Sequence, residues 1–477
     1  MSLSPGDFGA SFKGFLEQMS AEAPSEEPIF VKHLQEHFGC DPTVLPIVSE
    51  GFEDYEHANI HLALEEYLKQ DGREAKVLGV SASDLIGNSM SALIAPKRGS
   101  LMGSISATEG PVQYVNVEIG DDKILTCMRS GLYLISESDH RLAVFLKAPG
   151  EKLLMSKGKL EVIGPDRESA QQFLATIRSL KLKNSIYRGR VISVGTDSTR
   201  LALDIKFHHL TKVERKNIIL PDGLLERIER QTIGFSKHSQ KLLAAGRHLK
   251  HGLLLYGAPG TGKTLTAMYL ASEMIDRTII LLTGRGLGTV ERSCALAQTL
   301  QPATIILEDV DLVAEDRVRS VGGSSPLLFE LLNEMDGLRD DADVLFLLTT
   351  NRPDILEPAL AARPGRIDQA FEMPLPDDAC RRRLFILYSA GLNMQINDSN
   401  RFIQKTEGAS PAFIRELFRR AALFAATDGE ELIVKDKHLD EALYELTVQG
   451  GELTKSLLGF RTIGFQHSSQ PNASDRV

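Results

Sequence analysis

The chain has 477 residues, 42% of them apolar and 25% charged, with a formal net charge of −10. That length predicts about three domains, the balance excludes a disordered chain, and no run approaches the ~18 uninterrupted apolar residues of a membrane helix. The charge is uneven: residues 1–75 hold 15 acids against 4 Lys or Arg.

An acidic segment of this kind is either a solvated surface or a docking face for a basic partner. A chain that is acidic overall is a poor general binder of nucleic acid, so none is expected as a partner. The first residues, MSLSPGDFGASFKG, lack a basic stretch followed by an apolar core, so no secretory signal is expected. Cys40, Cys127, Cys294 and Cys380 are far apart with no CxxC spacing. That suits a reducing, cytoplasmic location and argues against a metal or disulfide role.

In chain order, residues 10–70 carry helix-like spacing (Phe12, Leu16, Met19; then Ile60, Ala63, Leu64, Tyr67, Leu68), and 1–75 reads as an acidic helical region. Residues 76–163 change style. QYVNVEIGDDKILTCMRSGLYLIS alternates apolar and polar residues around turn signals, which predicts antiparallel hairpins. PDRESAQQFLATIRSL, 165–180, predicts a helix opening at Pro165. Together 76–185 reads as an α+β domain that meets a partner. Residues 186–216 hold a strand, GRVISV, and a basic, polar connector. From about 218, apolar strands alternate with helical stretches, which predicts a parallel α/β sheet. The tail, 461–477, reads as flexible.

Within that region GLLLY, 252–256, has the unbroken apolar character of a strand buried on both faces. Gly257, Ala258, Pro259, Gly260, Thr261, Gly262, Lys263 and Thr264 then match G-x-x-x-x-G-K-[ST] in full, and Leu265 completes the candidate nucleotide-binding set. Glycines let successive N–H groups converge, and that cradle with the positive end of the next helix holds phosphate oxygens. Lys263 can reach the β- and γ-phosphates, and Thr264 can offer its hydroxyl to Mg²⁺. A second strand, ATIILEDVD, ends in Glu308, Asp309 and Asp311. One carboxylate would order the metal shell and its neighbour would polarise water. A third strand, DVLFLLTTN, ends in Asn351, placed to bond the γ-phosphate and the lytic water. Arg363 and Arg366, three apart, can either stabilise charge on a transferred phosphate or form an internal ion pair.

This order of motifs (GAPGTGKT, IILEDVD, NEMDGL, TTNRPDILEPALAARPGRIDQAF, MPLPDDACRRRLF) resembles the AAA family of ATPases over residues 217–460. The resemblance implies a P-loop ATPase subdomain, 217–376, a helical lid, 377–460, and ATP with Mg²⁺. It also implies a homo-oligomeric ring, usually a hexamer, in which Arg363 and Arg366 act on the neighbour's ATP. Force on protein partners would follow, with a client or adaptor bound through 1–185. A nucleotide-gated scaffold that hydrolyses slowly is the alternative.

Departures accompany the match. Most members carry Asp-Glu at the second motif, whereas this chain has Glu308-Asp309. By position Glu308 takes the metal and Asp309 the water, although the sequence leaves the two roles open. The inversion is similar to a branch that includes a mitochondrial Rieske-protein translocase, but no membrane helix is expected here. Threading members usually have an aromatic pore loop; TGRGLG, 283–288, has none and retains Leu287-Gly288. In the lid, GASPAF puts Pro411 where many members have glycine and Phe413 where they have an acid. No HExxH zinc protease site is present.

Overall fold

The computed structural model describes residues 9, 11–15, 28–81, 89–95, 107–137, 140–150, 157–196, 203–282, 289–311, 326–354, 367–429 and 431–449. The chain divides into two compact units: 1–190 with 194–208, and 191–193 with 209–477.

The first unit is built on an antiparallel sheet. Its strands are β1 (Ile47–Phe52), β2 (Glu74–Ser81), β3 (Thr108–Gly110), β4 (Gln113–Glu118), β5 (Ile124–Ser136), β6 (Arg141–Lys147) and β7 (Gly158–Ile163). The order is β1-β7-β6-β5-β2-β3, with β4 paired to β5 off this path. Four helices flank it: α1 (Ile29–Phe38), α2 (His57–Leu68), α3 (Met90–Ile94) and α4 (Arg167–Lys183). Asp166 caps α4, accepting from the Ser169 N–H at 2.7 Å, so the helix opens at Arg167, two residues after its predicted proline start.

This sheet is covered on both sides. Leu142, Val144 and Leu146 of β6 pack with Ile60, Leu64 and Phe173. Their alternates Ala143 and Phe145 pack with Phe30, Leu34, Met90 and Leu93. A continuous apolar strand therefore occurs here in an antiparallel sheet, because helices occupy both faces. Two expectations need correction. Residues 47–52 form a strand inside the segment read as helical, and β1 pairs with β7 from Ile47↔Ile163 to Phe52↔Gly158. Hence 1–75 and 76–185 are not separate regions. The helical spacing of 60–68 is real, but its buried stripe needs a sheet to lie on, and β1 helps to supply it.

The second unit begins with the first residues of β8 (Val191–Thr196), while β9 (Leu203–Phe207) belongs to the first. Next come α5 (Leu224–Glu229), α6 (Phe235–Ala244), β10 (His251–Tyr256), α7 (Lys263–Glu273), β11 (Thr278–Leu282), α8 (Val290–Thr299), β12 (Ala303–Leu307), α9 (Pro326–Gly337), β13 (Val344–Thr350) and β14 (Gln369–Glu372). The strands run in the order β14-β10-β13-β12-β11-β8. Every pairing from β14 to β8 is parallel. Val191–Ser193, part of the predicted strand GRVISV, extend this sheet, with Val191 opposite Ile279.

The amino-terminal end of the sheet is tied by a buried ion pair. Arg277 meets Asp343 at 2.6 Å and also donates to the Thr304 hydroxyl at 3.0 Å and the Asp343 carbonyl at 3.1 Å. Three strand starts share one guanidinium.

A helical subdomain follows: α10 (Asp378–Ser389), α11 (Ser399–Lys405), α12 (Pro411–Asp428) and α13 (Asp436–Tyr444), with a small parallel pair, β15 (Asn393–Gln395) and β16 (Ile433–Lys435). Its core includes Leu384, Phe402, Phe413, Leu417 and Leu439. No described helix is long and apolar enough to cross a membrane.

Candidate nucleotide site

β10, β12 and β13 are adjacent parallel strands, so their carboxyl ends open on the same side. Ligands of doubly wound sheets bind at that edge. The loop after β10 turns on three glycines with positive φ: Gly257 at 146°, Gly260 at 75° and Gly262 at 97°. An L-residue is strained at each of these angles. A Cβ on Gly257 would also lie 2.4 Å from the Met373 carbonyl oxygen. Gly262 precedes α7 and offers no side-chain cap, so the first N–H groups of that helix lack the usual partner. This arrangement supplies donors and a positive dipole to an anion.

Lys263 is buried, at 5% exposure. Its ammonium donates to the Gly257 and Ala258 carbonyls, 2.9 Å each, and the Thr261 hydroxyl also donates to Ala258 at 2.9 Å. Burial pulls its pKa down, while Asp309 and Asp311 push it up. The ammonium therefore rests on loop carbonyls within the field of two carboxylates, and anionic oxygens would draw it outward at little reorganisation cost.

Thr264 and Glu308, the two residues expected on the metal, lie side by side. The Thr264 hydroxyl hydrogen bonds to the Glu308 carboxylate, and burial holds that carboxyl above the usual range, with the Asp309 charge adding to the effect. Oε1 of Glu308 is buried without any hydrogen-bond partner. A buried carboxylate oxygen left unsatisfied beside a hydroxyl has the donor chemistry of a Mg²⁺ shell.

Asp309 adopts φ 48°, a left-handed conformation uncommon outside glycine. Its N–H donates to the Thr349 hydroxyl at 3.1 Å, and its carboxylate accepts from the Asn351 amide at 3.0 Å. Asp309 and Asn351 are thus one unit, a carboxylate oriented by an amide. Asp311 acts differently. It is 5% exposed and accepts from the Thr350 hydroxyl at 2.8 Å and the Asn351 N–H at 3.2 Å. It fixes the end of β13 and so the position of Asn351.

The lid reaches this loop. The Ala412 N–H donates to the Gly260 carbonyl at 3.2 Å, and a Cβ on Gly260 would lie 2.8 Å from both Ala412 Cβ and Ser410 Oγ. The lid departures then have physical causes. Ser410 caps α12, accepting from the Phe413 N–H at 3.1 Å, Pro411 sits in the first turn, and Phe413 is fully buried in the lid core. Sequence reasoning missed Thr349, Thr350, Ser410 and Ala412. Only Pro411 directly after a serine signalled a helix start there. Arg415 is exposed on α12. Leu265 is 41% exposed on α7. Arg363, Arg366 and the loop 283–288 lie outside the described residues.

Residues 253–375, from β10 past β14, match the model of the ATPase family associated with various cellular activities (AAA). The chain carries an AAA domain. The proteasome-activating nucleotidase of Thermococcus onnurineus is 34% identical over 216 residues, 43% of this chain and 54% of that protein. The nucleotidase of Pyrococcus horikoshii is 31% identical over 267 residues, 52% of this chain and 65% of that protein. The ATP-dependent zinc metalloprotease FtsH of Mycoplasmopsis pulmonis is 32% identical over 237 residues, 46% of this chain and 32% of that protein. The chain thus spans between half and two-thirds of the nucleotidases and less of the protease. ATP with Mg²⁺ is the ligand pair of the AAA domain, and the Thr264–Glu308 pair and the glycine loop fit it.

Proposed function

We propose that the protein is a Mg²⁺-dependent ATPase that turns hydrolysis into movement or release of protein partners. The observation that carries the reading is the buried, unsatisfied Oε1 of Glu308 beside Thr264, next to the Asp309–Asn351 pair. Lys263 and the α7 amides would hold the β- and γ-phosphates. Thr264 and Glu308 would hold Mg²⁺, which when bound screens charge between the β- and γ-oxygens. Asp309, oriented by Asn351, would take a proton from the attacking water.

The nucleotidase and protease relatives support action on proteins. The finer reading is a homo-oligomeric ring, with the unit built on β1–β7 binding the partner. Arg363 and Arg366 would complete the site across a subunit boundary. TGRGLG lacks a flat side chain to grip an unfolded chain, which favours rigid-body handling of folded partners over threading.

Lys263→Ala tests the core of the reading. ATP affinity should fall by about 100-fold, ~2.7 kcal/mol, and turnover should be lost. Unchanged affinity and turnover would refute the site. Mixing Arg366→Ala with Lys263→Ala protein tests the ring: partial recovery of turnover is expected, and none in mixed rings shown to form would place the arginines in their own subunit. Stimulation of turnover by a bound client separates a remodeller from a slow, nucleotide-gated scaffold.

A further inference from the structure

β4 and β9 are both edge strands, each paired on one side alone among the described residues: β4 with β5, and β9 with β8. Consecutive residues of both line one groove of about 400 Å³, Val115–Glu118 from β4 and Leu203–Ile205 with Phe207 from β9. Both strands line this cleft and each has one side without a strand partner among the described residues, an arrangement open to an extended chain. The slot is preformed. The β4–β5 turn is held against β9, where the Phe207 ring lies 3.0 Å from the position a Cβ would take on Gly120.

The lining says what kind of chain fits. Three rings run along the groove: Tyr187 stacks on Phe207 with centroids 5.4 Å apart and meets Tyr55 edge-on at 6.4 Å. Asp54, Glu118 and Asp204 line it with three carboxylates beside the guanidinium of Arg129, and Asp204 also meets the ammonium of Lys206 at 3.3 Å. His57 also lines the groove, where burial lowers its pKa against the opposing pull of the Met128 carbonyl, 2.8 Å from its ring nitrogen. Aromatic faces beside carboxylates attract ammonium and guanidinium groups.

We propose that this groove binds an extended, cationic peptide of a partner protein as an added β-strand between β4 and β9. The proposal rests on the reading that the first unit meets the partner, and names the surface and the chemistry it selects. Backbone pairing would supply affinity, and Lys or Arg side chains over the rings and carboxylates would supply selectivity.

The test uses the full chain and a fluorescein-labelled twelve-residue peptide that alternates Val with Lys and Arg. Two controls accompany it: the same peptide with Glu for its cations, and one with Pro for alternate Val, which keeps the charge but cannot pair as a strand. Saturable anisotropy is expected for the first, with both controls weaker by about tenfold or more. Glu118→Lys with Asp204→Lys should weaken binding by about tenfold and leave ATP turnover unchanged. Amide exchange should slow in Gln113–Glu118 and Leu203–Phe207 when the peptide is added. Absence of binding, equal binding of the Pro peptide, unchanged affinity in the double variant, or protection confined to other strands would each overturn the proposal. A client that binds wild type and the double variant equally also overturns it, yet leaves the partner reading standing. A wild-type protein that holds the peptide while no client alters turnover sinks the partner reading instead.

Discussion

The two ends of the parallel sheet both bury charge, and they treat it in opposite ways. At the amino-terminal end Arg277 meets Asp343 and spends further donors on Thr304 and the Asp343 carbonyl. That end is closed. At the carboxyl end Glu308 keeps a buried oxygen without a partner, Asp309 sits at φ 48°, and Lys263 rests on loop carbonyls. Buried polar groups in a folded protein are normally satisfied, and at the carboxyl end the unsatisfied atom is a carboxylate oxygen beside a hydroxyl and a second carboxylate, a set that an arriving cation would complete. The contrast separates charge that braces a fold from charge that performs chemistry.

Substitutions at the two ends should fail in different ways. Asp309→Asn should lower turnover by about 10²–10⁴-fold, because an amide cannot accept the proton of water, and the thermal midpoint should barely move. Stopped turnover accompanied by a collapsed midpoint would erase the distinction between the ends. Arg277→Met is the mirror image. Breaking one side of a buried pair should cost about 3–5 kcal/mol of stability, read by denaturant unfolding, while the surviving folded molecules bind ATP as wild type does. A stable variant with weakened nucleotide binding would mean that the closed end takes part in function.

The smallest effect expected is one of pH. The Glu308 carboxyl sits above the usual range, chiefly through burial. Its protonated form cannot hold a metal, so Mg²⁺-nucleotide affinity should be full above that raised pKa and lost as pH falls through it. The loss should begin at higher pH than an ordinary glutamate would give, and Glu308→Gln should remove it. The same pH profile in wild type and Glu308→Gln would assign the titration to another group.

The open end was legible in the sequence because phosphate and metal dictate residue type at fixed spacing. Gly257 to Thr264, Glu308, Asp309 and Asn351 could be placed from motif and strand order, and the structure brings its described members to one edge. The closed end was not legible. Arg277 and Asp343 stand 66 positions apart and follow no pattern, since any satisfied polar pair would brace the strands as well. The role of Asp311 was hidden too, because three acids at a strand end look alike until their partners are known. In the first unit, alternation in 113–118 revealed a strand, but β1 escaped. IVSEGF is short and half-buried, and its pairing with β7 is set by contacts more than 100 residues away.

The central claim is that the open end holds Mg²⁺-ATP with Glu308 on the metal and Asp309 on the water. Its most direct test is the nucleotide that each variant retains after incubation with ATP and Mg²⁺ and rapid desalting. The account predicts that Asp309→Asn keeps unhydrolysed ATP in a Mg²⁺-dependent way, while Glu308→Gln keeps little and shows no dependence on Mg²⁺. Intact ATP trapped by Glu308→Gln, with normal turnover in Asp309→Asn, would contradict it.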